Sequence, residues 1–293
     1  MNNKISIIIT AYKESKTIGA IIKSAETDSP HAEIIIIAPD RETLSVAEKF
    51  TQKNHRIVLI KDENKGKPAA LNMAIAKAQG QILLFTDGDI IPQHHAFKIL
   101  ADKLKPQTVG TGRPIIIGDD KNMLNWWGEI LFDIANRIRK ESYQLKKHFL
   151  ISGYLWGIND NNSKKIHFNE NLLTEDEFLS YYCAKKKLDF VYAEKAEIGV
   201  KYPQSISDWL NQKIRTLGGS YQIKKILNVN TRSFSQEAGQ GIKLILKYPT
   251  NCKQWIWLFL LLVLRAYAWA KAYLLIVILK KNKGIWKRIE TTK

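Results

Sequence analysis

The chain's most chemical triplet is Asp87-Gly88-Asp89, directly after the apolar run at residues 82–86. Two carboxylates one residue apart offer the hard oxygen ligands that Mg2+ and Mn2+ prefer. Gly88 lets the backbone bend closely between them. Protein-bound diphosphates often need such a cation, so Asp87 and Asp89 are read as a metal pair serving phosphate chemistry. Plain turns use the same residue types, and the preceding strand is what gives the triplet weight. Upstream, Lys65 and Lys67 flank Gly66 just before a helix start, where anionic phosphate is favoured.

Such groups need strands that end where they stand. Residues 5–10, 33–38, 56–61 and 82–86 are short apolar runs that read as strands. Between them lie helix patterns. One is capped by Ser15 and carries Ile18, Ile21, Ile22 and Ala25 on one face; another covers 43–50. A third opens with Pro68 in its first turn and stops at Gly80. The alternation predicts an α/β fold, a mostly parallel central sheet flanked by helices. Ligands of such sheets bind beyond the carboxyl ends of the strands, so Tyr12, Asp40 and Asp87 are expected in one crevice. Residues 122–140 form an amphipathic helix pattern with Trp127, Ile130, Leu131, Ile134 and Ile138, read as core-packed in preference to lipid-facing. Further helices are predicted over 174–187 and 205–228.

The segments SIIITAYKE (6–14), KGKPAALNMA (65–74), FTDGD (85–89), ISGYLWG (151–157), LTEDEF (173–178) and QKIRTLGG (212–219) run in the order of a family 2 glycosyltransferase, which the chain resembles over about residues 4–225. The resemblance implies the GT-A fold and inverting transfer from a nucleotide-sugar donor, with UDP-sugars first in line. It assigns Ala11, Tyr12 and Glu14 to the nucleotide loop, although Glu14 equally suits a helix's first turn. Asp40 matches the base-reading acid, with Pro39 standing where many members carry a second acid. Lys65, Lys67 and Asp87 fall on the donor side, and Asn72 looks more like a positioning residue. Asp176 matches the general base with Glu175 as alternate; a helix capped by Thr174 would also favour acids there. Gln212 and Arg215 match a Gln-x-x-Arg-Trp signature in which Thr216 replaces the tryptophan, against a processive synthase. Gly153 and Trp156 fall on the acceptor side, where Trp156 is either a sugar-stacking platform or a core side chain.

The formal charge is +17, and residues 243–293 carry eleven Lys/Arg against Glu290 alone. Those charges surround the apolar, Trp-rich stretch 255–279, which points to an anionic lipid surface and away from nucleic acid. Arg265 and Lys271 interrupt the stretch, each at about 2.5–3.5 kcal/mol near the centre of a spanning helix, so a span and an in-plane helix or hairpin both stand. The expected organisation is a catalytic domain over 1–230 and a membrane-associating helical tail over 231–293. Cys183 and Cys252 have no metal-ligand spacing, and the first residues lack a signal-peptide pattern; the catalytic part is expected on the cytoplasmic face of a membrane. The expected cofactor is Mn2+ or Mg2+, and the expected partners are a nucleotide sugar, the lipid membrane and a lipid-linked or saccharide acceptor. A polyprenyl-phosphate sugar synthase shares all donor-side residues. A sugar-phosphate nucleotidyltransferase would want a Gly-rich loop after the first strand, where TAYKESKTIG has a single glycine.

Overall fold

The computed structural model describes residues 4–118, 122–233 and 244–281. Lys243, Lys283, Lys287 and Arg288 of the basic tail lie outside them. The chain divides into two compact units, one of Met1–Ile115, Arg139–Glu170 and Cys183–Val200, the other of Ile116–Ile138, Asn171–Tyr182 and Lys201–Lys293.

The first unit is built on a sheet of eight strands: β1 (Ile5–Thr10), β2 (Glu33–Ala38), β3 (Ile57–Lys61), β4 (Ile82–Asp87), β5 (Ile91–Pro92), β6 (Thr108–Ile116), β7 (Leu155–Asn159) and β8 (Asp189–Val200). Their order is β3-β2-β1-β4-β7-β6-β8-β5. The isoleucine runs of β1 and β2 are buried along their length, as strands covered on both faces must be. β3, β2, β1 and β4 are parallel, but β7 runs antiparallel to both β4 and β6, and β5 antiparallel to β8. The sheet is therefore mixed where a mostly parallel one was expected, and the parallel pairing is confined to β3, β2, β1 and β4. From β1 the chain winds one way through β2 and β3 and then returns to place β4 on the other side. That reversal makes the carboxyl ends of β1 and β4 the switch point where a crevice opens.

Helices α1 (Ile18–Asp28), α2 (Arg41–Thr51), α3 (Lys67–Lys77) and α4 (Ala96–Lys103) connect these strands. Helix α1 starts later than Ser15 suggests, because the Glu14 carbonyl accepts from the backbone N–H groups of Thr17 and Ile18 in a preceding turn.

The second unit is helical. It contains the first part of α5 (Met123–Gln144), the start of α6 (Glu175–Lys185), α7 (Ile206–Leu227) and α8 (Cys252–Tyr273), which continues as a π-helical turn, Leu274–Ile278. Trp127, Ile130 and Ile134 of α5 pack with Tyr202, Trp209, Leu258 and Leu261, so the predicted amphipathic helix is a core helix. Ile214 and Leu217 of α7 meet Ala268, Trp269 and Ala272 of α8. Among the described residues one helix, Cys252–Ile278, is long and apolar enough to cross a membrane by length and composition.

Candidate active site

The register of the parallel sheet sets Thr10 beside Asp87. The Thr10 hydroxyl donates to Asp87 Oδ1 at 3.1 Å, and Lys67 Nζ lies 2.6 Å from the same oxygen. Lys67 is the first residue of α3, so a lysine from a helix start meets a carboxylate from a strand end. Both stay partly open to solvent, with side-chain exposures of 21% and 25%. Asp89 follows in the turn after β4, half-buried. Between the two acids, the Gly88 N–H donates to the Thr10 carbonyl, and its own carbonyl accepts from the Thr17 hydroxyl. A Cβ on Gly88 would come within 2.7 Å of Ala11 and 3.1 Å of Glu14. Here glycine is required by close packing of the turn on the β1 loop.

Asp40, at the end of β2, caps α2 through Thr43 N–H (2.9 Å) and accepts from Lys13 N–H at 2.7 Å. Partial burial pushes its carboxyl up, but these backbone bonds prevail and hold it below the usual carboxylate range. Lys13 stands in left-handed backbone (φ 56°) and its ammonium lies over the half-buried Tyr12 ring. Asp62, one residue past β3, is pushed up by burial, with the neighbouring Asp40 charge contributing. A second acid thus does stand near Asp40, supplied by β3 where Pro39 fails to supply it. Applying the strand-end rule to β3 would have found it.

Other predicted residues have different surroundings. Ala11 and Glu14 are buried, and the Glu14 backbone N–H donates to the Thr43 hydroxyl; Glu14 precedes α1 and so does not stand in that helix's first turn. Lys65 is exposed and pairs with Glu63, an arrangement that raises the lysine and lowers the acid. Asn72 clamps the Phe168 backbone through both amide atoms, Nδ2 to the carbonyl at 2.7 Å and Oδ1 from the N–H at 2.8 Å. That is a positioning role. Trp156 is 1% exposed and stacked on Phe85, its register partner across β4 and β7, so it takes the core alternative. Its neighbours Gly153 and Tyr154 form the turn before β7. The Tyr154 carbonyl accepts from Thr86 Oγ1, which sets this half-buried tyrosine alongside the end of β4.

The remaining predicted residues belong to the helical unit. Glu175, Asp176 and Glu177 open α6. The Thr174 hydroxyl is buried without a hydrogen-bond partner among the described residues, so it does not cap the helix. Instead Asp176 Oδ1 accepts from the next backbone N–H, of Glu177. Glu177 is buried, accepts from Ser220 Oγ at 2.7 Å and pairs with Arg232 Nη2 at 3.2 Å. Arg232 also donates to Ser220 Oγ and to the Thr216 carbonyl. Burial of Glu177 leaves Glu175 and Asp176 as the half-buried acids of the turn. Gln212 and Arg215 lie half-buried on α7, one helical turn apart, and Gln212 Oε1 is a buried acceptor without a partner among the described residues. A Cβ on Gly219 would run into the Thr174 side chain, so this glycine lets α7 receive the residue that precedes the acids. Glu177 and Gly219 stand inside the segments 173–178 and 212–219 without being singled out there, and Arg232 escaped the motif reading. Among three adjacent acids nothing in the sequence marks the inward one, and Arg232 lies beyond the last motif.

Residues 6–164, more than half of the chain, match the family described as Glycosyl transferase family 2. The chain belongs to glycosyl transferase family 2. Within this family-2 chain, one stretch of 105 residues is 28% identical to a cholesterol galactosyltransferase of Borreliella burgdorferi, covering 35% of the chain and 29% of that protein. Another of 139 residues is 28% identical to a dolichyl-phosphate β-glucosyltransferase of Drosophila melanogaster, covering 42% of each. The chain thus spans well under half the length of these relatives. Its fold is similar to that of a mannosyltransferase from Pyrobaculum calidifontis solved in complex with GDP-Man and Mn2+, with a TM-score of 0.60, 14% identity and coverage of 97% of this chain and 76% of the other. The fold is GT-A.

Proposed function

We propose that this family-2 chain is an inverting glycosyltransferase that moves a sugar from a nucleoside diphosphate to a membrane-borne acceptor, in glycan or glycolipid assembly at the cytoplasmic face of a membrane. The observation that carries the donor side is the Lys67–Asp87 pair at the β1/β4 switch point, beside the start of α3. An ammonium, partly open carboxylates and a helix N-terminus together suit a diphosphate and its counter-cation.

The residues present fit a divalent metal. Asp87 and Asp89 supply two oxygen-donor side chains, and the described residues contain no cluster of three or more His, Cys, Asp or Glu that could hold a metal by themselves. That is the donor set of a cation completed by substrate phosphates and water. Bound there, the metal would neutralise charge on the departing nucleoside diphosphate. Lys67 releases Asp87 and turns its ammonium to the diphosphate, and by the family resemblance the guanidinium of Arg215 suits a diphosphate too. Tyr12, Asp40 and Asp62 face the nucleoside. Asp176 takes the proton from the acceptor hydroxyl as that oxygen bonds to the anomeric carbon and the carbon–phosphate-oxygen bond breaks. One displacement inverts the anomeric centre.

The similarity to a dolichyl-phosphate glucosyltransferase favours a second reading, a polyprenyl phosphate as acceptor. A phosphate oxygen is already anionic and needs no base, so the two readings differ at Asp176. The experiment is turnover of wild type and Asp176→Asn on a panel of nucleotide sugars with hydroxyl-bearing lipid and with polyprenyl phosphate. A collapse with the hydroxyl acceptor supports the first reading, and indifference to the substitution with polyprenyl phosphate supports the second. Absence of nucleoside-diphosphate release with every donor defeats both.

A further inference from the structure

Helix α8 is apolar on two opposite faces, more than a helix on the surface of a soluble unit, with its single apolar stripe, requires. Its inner face is buried in its own unit: Leu258 and Leu261 pack with α5 and Trp209, and Ala268, Trp269 and Ala272 with α7. The indole N–H of Trp127 donates to the Trp257 carbonyl at 2.8 Å, and a Cβ on Gly218 of α7 would press on Ile276 at 3.1 Å. The outer face is bare. Trp255, Phe259, Val263, Tyr267, Leu274 and Ile278 recur at helical spacing and are all at least 41% exposed, Phe259 reaching 64%. At roughly 1.5 Å per residue this stripe runs for about 35 Å.

The charges that complicate a membrane reading are not on that stripe. Arg265 is half-buried on the inward side, near enough to act electrostatically on the buried Tyr202 hydroxyl. Lys271 is half-buried and, with Lys253, falls on one flank of the helix; Lys280 and Lys281 are exposed just past its end. The bare stripe is thus bordered by ammonium groups, in a tail that carries ten of the chain's net positive charges.

We infer that α8 is a monotopic anchor: it lies in the plane of an anionic bilayer, outer stripe among the acyl chains and flanking lysines at the headgroups, and does not cross. This deepens the reading that the chain works at a membrane. Length alone permits a crossing, but the inner face is committed to α5 and α7, and a crossing would carry that face, with Arg265, into hydrocarbon. A second copy of the chain is the poorer occupant, since pairing two such stripes would bring two lysine borders together. Aromatic and basic residues bordering an exposed apolar face are the pattern of interfacial helices.

The test uses the full chain added to sealed vesicles of phosphatidylcholine containing phosphatidylglycerol. The exposed Cys252 marks one end of the helix, and Lys281→Cys in a Cys252→Ser background marks the other. Flotation that weakens with salt, reaction of both cysteines with an impermeant maleimide added outside, and quenching of Trp255 fluorescence by brominated acyl chains are expected. Val263→Asp should reduce vesicle binding at least tenfold with an unchanged circular dichroism spectrum. Flotation with one cysteine protected until detergent is added would establish a span and overturn the in-plane inference alone. No flotation overturns the membrane reading as well, and a dimer dissolved by Val263→Asp would then assign the stripe to a second copy.

Discussion

Two acidic turns, one after β4 and one opening α6, use the same side chains in opposite ways. At β4 the sheet register fixes Asp87, and a lysine from another element compensates it while both remain partly accessible. At α6 burial sorts the acids: Glu177 turns inward to Ser220 and Arg232, and Glu175 and Asp176 stay half-open. The first arrangement suits carboxylates that must exchange one cation for another. The second suits a carboxylate that must be held still, because a buried charged neighbour pins the turn that carries it.

Removing a carboxylate from the turn after β4 should have the largest effect. Asp89→Ala is expected to lower turnover by about three orders of magnitude or more, the several kcal/mol that a divalent cation held by Asp87 and Asp89 would supply. Excess chelator should reproduce the loss in wild type, and full activity in chelator would break the first half of the comparison. At α6, Asp176→Asn should cost about 10²- to 10⁴-fold in kcat with a hydroxyl acceptor while donor affinity holds. NMR of the product should show an inverted anomer, and retention would exclude a single displacement.

The pinning of α6 can be tested without touching Asp176. Arg232→Ala strips the buried Glu177 of its charged donor and should destabilise the fold by about 2 kcal/mol in denaturant unfolding. Its kcat should fall more than its donor KM rises, with partial recovery in Arg232→Lys. If kcat is unchanged, Glu177 and Arg232 hold the fold and not the base. Gly219→Ala should cost about 1–3 kcal/mol through overpacking against Thr174.

The smallest effect belongs to Asp40. Its carboxyl is held low in the folded chain, so its stabilising contribution is complete above the ordinary carboxylate pKa. That contribution is lost as pH falls through the lowered folded value. Asp40→Ala should cost about 1 kcal/mol for the lost cap, and Asp40→Asn should flatten the acid limb of the stability profile.

The strand ends were legible because each is a short apolar run closed by a polar residue, and the parallel half of the sheet follows from strands alternating with helices. The antiparallel β7 was not. WGIN carries no sign of direction, and only its pairing with β4 shows that Trp156 lies in the core against Phe85. Asp62 was missed at a strand end that the rule covered. Glu177 and Arg232 were missed because their pairing joins positions far apart along the chain.

By itself the sequence determined the α/β class, the acidic pair after β4, the family to which the motifs belong and the presence of a basic, apolar tail. These depend on local order along the chain: periodicity, strand ends and motif spacing. Tertiary structure decided which acids face inward, that Lys67 sits on Asp87 while Lys65 does not, and that α8 has an inner face occupied and an outer face bare. Those depend on what each side chain meets across the fold, and burial and charge pairing are settled there by neighbours that the linear chain keeps apart.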